Sequence, residues 1–154
     1  MKKYLMVFAG LLVALLLSAP ASSAQGVRTN PDAAVVPDAE LEKDSSHNLT
    51  VARHYFKLRK AYVAALKRCE EIDSANPTFA RMDEVLYIAG MSSLRLAESK
   101  GKQKSAKSAD DLRLDARVYL SRLVAGYPNS SFIKEARTEL TALGGPLEPT
   151  SGKQ

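Results

Sequence analysis

The chain predicts an all-α fold of about five helices in stacked antiparallel hairpins. Three observations carry this expectation. Leu and Ala dominate an apolar fraction of 45%, and strand-like alternation of β-branched residues is scarce. Tyr55 to Pro77 (YFKLRKAYVAALKRCEEIDSANP) reads as the end of one helix, a turn and a second amphipathic helix stopped by proline. Asp115 to Pro128 (DARVYLSRLVAGYP) repeats that plan. Helices that each bury only one stripe must stack to cover it.

Met1 to Lys3 is basic, Leu5 to Leu17 is almost unbroken apolar sequence, and Ser18 to Ala24 is small-residue sequence containing Pro20. This is the three-part plan of a secretory signal peptide over residues 1–24, with cleavage expected before Gln25 or, alternatively, after Ala21. The apolar run falls short of the roughly 20 residues that a membrane-spanning helix needs. The single cysteine, Cys69, lies far from the small-residue box, so a lipoprotein-type anchor is not expected there. It also leaves no partner for an intrachain disulfide. Removing Lys2 and Lys3 with the signal peptide would lower the formal charge from +5 to +3. That balance is too small to argue for nucleic acid.

Residues 25–44 hold two prolines and no helical period, so a flexible leader is expected, with Asp44, Ser45 or Ser46 capping the first helix. The helical domain is expected over 45–143. Its first helix spans 46–58, with Leu49, Ala52, Tyr55 and Phe56 on one side and a turn at Arg59-Lys60. One continuous helix over 46–75 is the competing reading. The second helix, from Ala61 to about Ser74, buries Tyr62, Ala65, Leu66, Cys69 and Ile72 and pairs Lys67 with Glu71 across one turn. Asn76-Pro77 ends it.

The third helix runs from near Phe79 to Ser99 and buries Phe79, Met82, Leu86, Ala89, Gly90 and Ala97. Gly90 costs about 1 kcal/mol relative to alanine in mid-helix, which implies either close approach of a neighbouring helix or a kink. Lys100 to Asp110 reads as a lysine-rich solvated loop, with anionic lipid or a polyanion as the alternative role for its charge. The fourth helix starts near Ser108 or Asp110 and buries Leu112, Ala116, Tyr119, Leu120 and Leu123. The fifth follows Ser130-Ser131, buries Phe132, Ile133, Ala136, Leu140 and Leu143, and stops at Gly144-Gly145. Residues 144–154 form an expected disordered tail.

Chemistry-bearing residues are few. His47 and His54 are the whole imidazole inventory and lie seven residues apart, where metal ligation on a helix would favour four. Cys69 falls in a buried stripe and reads as an inert small hydrophobe. Phosphate-binding loops, Ser–His–acid arrangements and paired-carboxylate motifs do not stand out. Catalytic residues, a metal and a cofactor are therefore not expected. Asn48-Leu49-Thr50 matches a glycosylation acceptor by coincidence within a helix.

Pro77 and Pro128 are 51 residues apart, and on that register Ala65 aligns with Ala116, Cys69 with Leu120 and Ile72 with Leu123. Tyr62, Ala65, Cys69, Ile72 and Pro77 match the aromatic, small, bulky, small and proline positions of the tetratricopeptide repeat, and Ala89-Gly90 matches its Leu-Gly pair. The chain therefore resembles that superfamily. Arg53 stands at the first repeat's glycine position, and the second repeat exceeds the usual period of about 34 residues by about 17, mostly at the lysine-rich loop. The wording AxxYFKxRxAYxAALxR…NP, DEVLYIAGMSSLRLA and LxxLVAGYPNSSFIKEA is most similar to the BamD/YfiO outer-membrane assembly family, over about Leu49 to Leu143.

That resemblance implies a non-catalytic periplasmic protein, associated peripherally with the outer membrane, that binds protein components of the cell envelope. On the repeat register, His47, Thr50, His54 and Lys57 would face a concave groove, or else simply water. Glu84, Tyr87 and Met91 would join them from the third helix, although Tyr87, Met91 and Leu94 also suit a core. A structural, self-oligomerising helical module is the alternative function.

Overall fold

The computed structural model describes residues 38–147, so the expected signal peptide, most of the expected leader and the end of the expected tail lie outside the described residues. Five α-helices follow one another: α1 (Ala39–Arg53), α2 (Tyr62–Ala75), α3 (Met82–Ala97), α4 (Ala109–Gly126) and α5 (Ile133–Ala142). A π-helical segment, His54–Arg59, continues α1. Strands are absent among the described residues. Each helix packs chiefly on its neighbours in the chain, and α1 also reaches α3.

Helix α1 begins inside the stretch expected to be a leader. The Asp38 carboxylate accepts the N–H groups of Glu40 at 2.9 Å and Leu41 at 3.4 Å. Glu40 and Glu42 then sit in the first turn, where the helix dipole favours negative charge. The expected caps are thus interior residues, and Ser45 is buried against the next helix end. Asn76 explains that position. Its side-chain amide donates to Glu42 Oε1 at 3.1 Å and Ser45 Oγ at 3.3 Å. The residue that closes α2 thereby fastens α1. Asn76→Ala is expected to cost about 1–2 kcal/mol, because Ser45 loses a buried partner; the midpoint of urea denaturation reads it.

The continuous helix over 46–75 does not form. The last turn of α1 widens to a π-helix, and Lys60 then adopts the left-handed conformation at φ 53°, which breaks the helix. The N–H of Ala61 closes the turn on the carbonyl of Tyr55 at 3.0 Å. A left-handed non-glycine residue costs about 1–2 kcal/mol, and contacts from a distant loop offset it. Lys102 donates its N–H to the Lys60 carbonyl at 3.3 Å. Gln103 Oε1 accepts from the N–H of Ala64, an orphan donor of α2's first turn, at 3.2 Å. Gly101, at φ 93°, passes so close that a Cβ would lie 2.6 Å from the Lys60 carbonyl and the Tyr62 ring. The loop expected to be solvated is therefore anchored through its backbone and the Gln103 side chain, while Lys102 and Lys104 stay exposed.

Helix α3 is the centre of the fold, with all of its residues buried except Asp83, Tyr87 and Arg95. Its Gly90 answers the question that the sequence raises. A Cβ there would sit 2.8 Å from Cγ and Cδ2 of Leu120, so α4 approaches α3 across a missing side chain. Leu120 is itself fully buried. The stripe of α2 is the expected one: Tyr62, Ala65, Leu66, Cys69 and Ile72. Glu71, however, pairs with Arg68 at 2.6 Å rather than with Lys67.

Polar ties join the layers. Arg122 on α4 makes two 2.7 Å hydrogen bonds to the Asp73 carboxylate on α2. Ser130 donates to Asp83 on α3 at 2.7 Å, while its oxygen accepts the N–H of Phe132 at the start of α5. Gly144 and Gly145 both have positive φ and end α5. The first residues of the expected tail are held in place, since Arg117 donates to the carbonyls of Gly144, Gly145 and Pro146 and Ser121 Oγ accepts from Leu147.

Candidate interaction surface

The seven residues expected to line one groove separate into two groups. His47, Thr50, His54 and Lys57 are exposed along α1 and its π-helical continuation. Thr50 donates its hydroxyl to the carbonyl of Ser46 at 2.9 Å, leaving its oxygen facing outward as an acceptor. His54 Nε2 accepts from Arg59 Nε at 3.2 Å. These side chains belong to a displayed face.

Glu84, Tyr87 and Met91 do not join that face. The Glu84 carboxylate bonds Arg53 Nε and, at 2.7 Å, Arg53 Nη2, and it also takes Arg81 Nη2 at 2.7 Å. It therefore ties α1 to α3. Burial pushes the Glu84 pKa up, but the hydrogen bonds and charges of Arg53 and Arg81 outweigh it and hold the carboxyl below its ordinary range. Arg53 thus has a structural task of its own. Tyr87 stacks on Phe132 of the α5 start with ring centroids 4.5 Å apart and planes 17° from parallel. Burial, followed by a hydrogen bond to Glu135, raises its phenol pKa. Met91 is 1% exposed and Leu94 is buried with it, so both take the core option.

One cleft opens beside the displayed face. Thr50, Val51, His54, Tyr55, Arg59, Ala61 and Lys102 surround about 590 Å³, with no carboxylate among them. Arg59 and Lys102 escaped the sequence reading because the π-turn and the α3–α4 loop, 43 positions apart, meet only in the fold. A smaller space of about 370 Å³ lies under the same loop, with Leu96, Ala97 and Leu112 as its floor. Burial raises the Cys69 thiol pKa, and the nearby Glu70, Glu84 and Asp73 raise it further, which keeps the sulfur protonated and unreactive.

Among the described residues, no cluster of three or more His, Cys, Asp or Glu side chains could hold a metal ion. No helix among them is long and apolar enough to cross a membrane. Neither a protein-family model, a curated protein nor a solved structure matches the chain.

Proposed function

We propose that the protein is a non-catalytic periplasmic protein–protein interaction module acting in outer-membrane protein assembly or envelope biogenesis. The observation that carries this reading is the exposed row His47, Thr50, His54 and Lys57 on a helix whose other side is anchored by Asn76 and Glu84. A rigidly held helix presenting polar side chains suits recognition, because little backbone order remains to be gained on binding. Helices packed in chain order support a tetratricopeptide-like array, and the extra length of the second repeat corresponds to the loop between α3 and α4. The BamD/YfiO-like wording supplies the envelope context.

Leu114 and Val118, 53% and 38% exposed on α4, favour a second reading as a self-associating module. One experiment separates the two. A photo-cross-linking amino acid placed at Thr50, and for comparison at Ser74 on the exposed side of α2, is activated in intact cells that export the protein. Adducts to another envelope polypeptide from position 50 and not from position 74 are expected. Adducts of the chain with itself alone would favour self-association, and a silent position 50 would overturn the interaction face.

A further inference from the structure

We propose that the end of the molecule formed by the π-turn and the α3–α4 loop docks onto an anionic lipid bilayer. Two basic segments that are remote in sequence, Lys57-Leu58-Arg59-Lys60 and Lys100 to Lys104, meet there through the Lys102–Lys60 backbone hydrogen bond and the close passage of Gly101. Lys57, Arg59, Lys60, Lys102 and Lys104 make no ion pair with a carboxylate among the described residues. The nearest acid in the loop, Glu98, is taken by Arg95 and Lys100.

Among these cations stands Leu58, 73% exposed and the most exposed large hydrophobic side chain among the described residues. The π-turn puts it there: Tyr55 and Phe56 turn toward the core while Leu58 projects outward. A projecting leucine among flexible, unpaired lysines fits a bilayer interface, where the apolar group enters the acyl boundary and the ammonium groups lie among anionic headgroups. An acidic protein partner would satisfy the charges but leave Leu58 in water unless it also brought an apolar pocket. This inference shares only Lys57 with the proposed recognition row, concerns a different function and stands without that reading.

Each cation held near an anionic surface strengthens binding about fivefold, and the effect fades with salt over a Debye length. The full chain lacks tryptophan, so Leu58→Trp provides a single fluorescent reporter at the point of contact. With phosphatidylglycerol vesicles at low salt, the emission of this variant's indole should shift to the blue and be quenched by brominated acyl chains. With phosphatidylcholine vesicles it should do neither. Replacing Lys57, Lys60, Lys102 and Lys104 by Gln should weaken vesicle binding about 600-fold, whereas the same change at Lys43, Lys67, Lys134 and Arg137 should weaken it less than about tenfold. The amino-terminal apolar run is common to all variants and cannot produce these differences. An indole that stays water-exposed on vesicles that sediment the Leu58→Trp variant would overturn the proposal. So would equal losses in the two charge variants. Binding of an acidic polypeptide such as polyglutamate in preference to the vesicles, with the indole emission unmoved, would identify a protein-facing surface instead and also overturn it.

Discussion

Leu120→Ala is expected to destabilise the domain by about 2–5 kcal/mol, the range for emptying a buried leucine site. Leu120 is fully buried on α4 and occupies the space that Gly90 leaves open on α3. Gly90→Ala alone is also expected to destabilise. Alanine gains about 1 kcal/mol of helix propensity, but its methyl would lie 2.8 Å from the Leu120 side chain. Overpacking of that kind costs about 1–3 kcal/mol. In the double variant the new methyl at 90 meets no leucine and fills part of the hole, so the two losses should fall well short of adding. Urea denaturation of the wild type, both single variants and the double variant measures the coupling. Additive losses would show that α3 and α4 do not meet through this pair.

Glu84→Gln is expected to cost about 2–3 kcal/mol at neutral pH, because two guanidinium groups lose their shared carboxylate. The figure lies below that for breaking a fully buried pair, since Arg53 and Arg81 retain water contact. The pH dependence carries a definite sign. Glu84 has a folded pKa below its unfolded value, so its contribution is fully present above the unfolded value of about 4.5. It is lost as pH falls through the lower, folded value. Denaturation midpoints at pH 7 and at progressively acid pH should therefore converge for wild type and variant below about pH 4.5. A constant gap down to acid pH would assign the loss to packing rather than charge. Glu98, which also titrates below its ordinary range despite partial burial because Lys100 and Arg95 hold it, remains in both proteins and cancels from the comparison.

Much of the helical core was legible from periodicity alone. Tyr62, Ala65, Leu66, Cys69 and Ile72 form the buried side of α2 as their spacing predicts, and Gly90 marks a close helix approach. Apolar spacing reports which side of a helix is buried, and these positions need nothing more. The start of α1 was hidden because the prolines before it suggest extended chain, although Asp38 followed by Glu40 and Glu42 is a usable start signal. The candidate site was less readable for a different reason. Glu84 looks like an outward-facing carboxylate until Arg53, thirty-one residues earlier, is brought alongside it. The same holds for the cleft, where Lys102 comes to line one space with Arg59 beside the left-handed Lys60. Local pattern does not record long-range pairing.

The unequal fastening of the two ends gives the molecule a directional resistance to opening. Helix α1 is tied by Asn76 and by the Glu84 bridge; α5 fully buries only Ala136 and Leu140 and is held at its start by the Ser130–Asp83 bond and the Tyr87–Phe132 stack and just past its end by Arg117 and Ser121. Segments with few buried contacts open at the lowest free energy. Lifting of the last helix would bare first the side of α4 on which it packs, and then the Tyr87 ring of α3 once Phe132 leaves the stack. That aromatic face is a latent one, available only in the rare molecules whose last helix has lifted away.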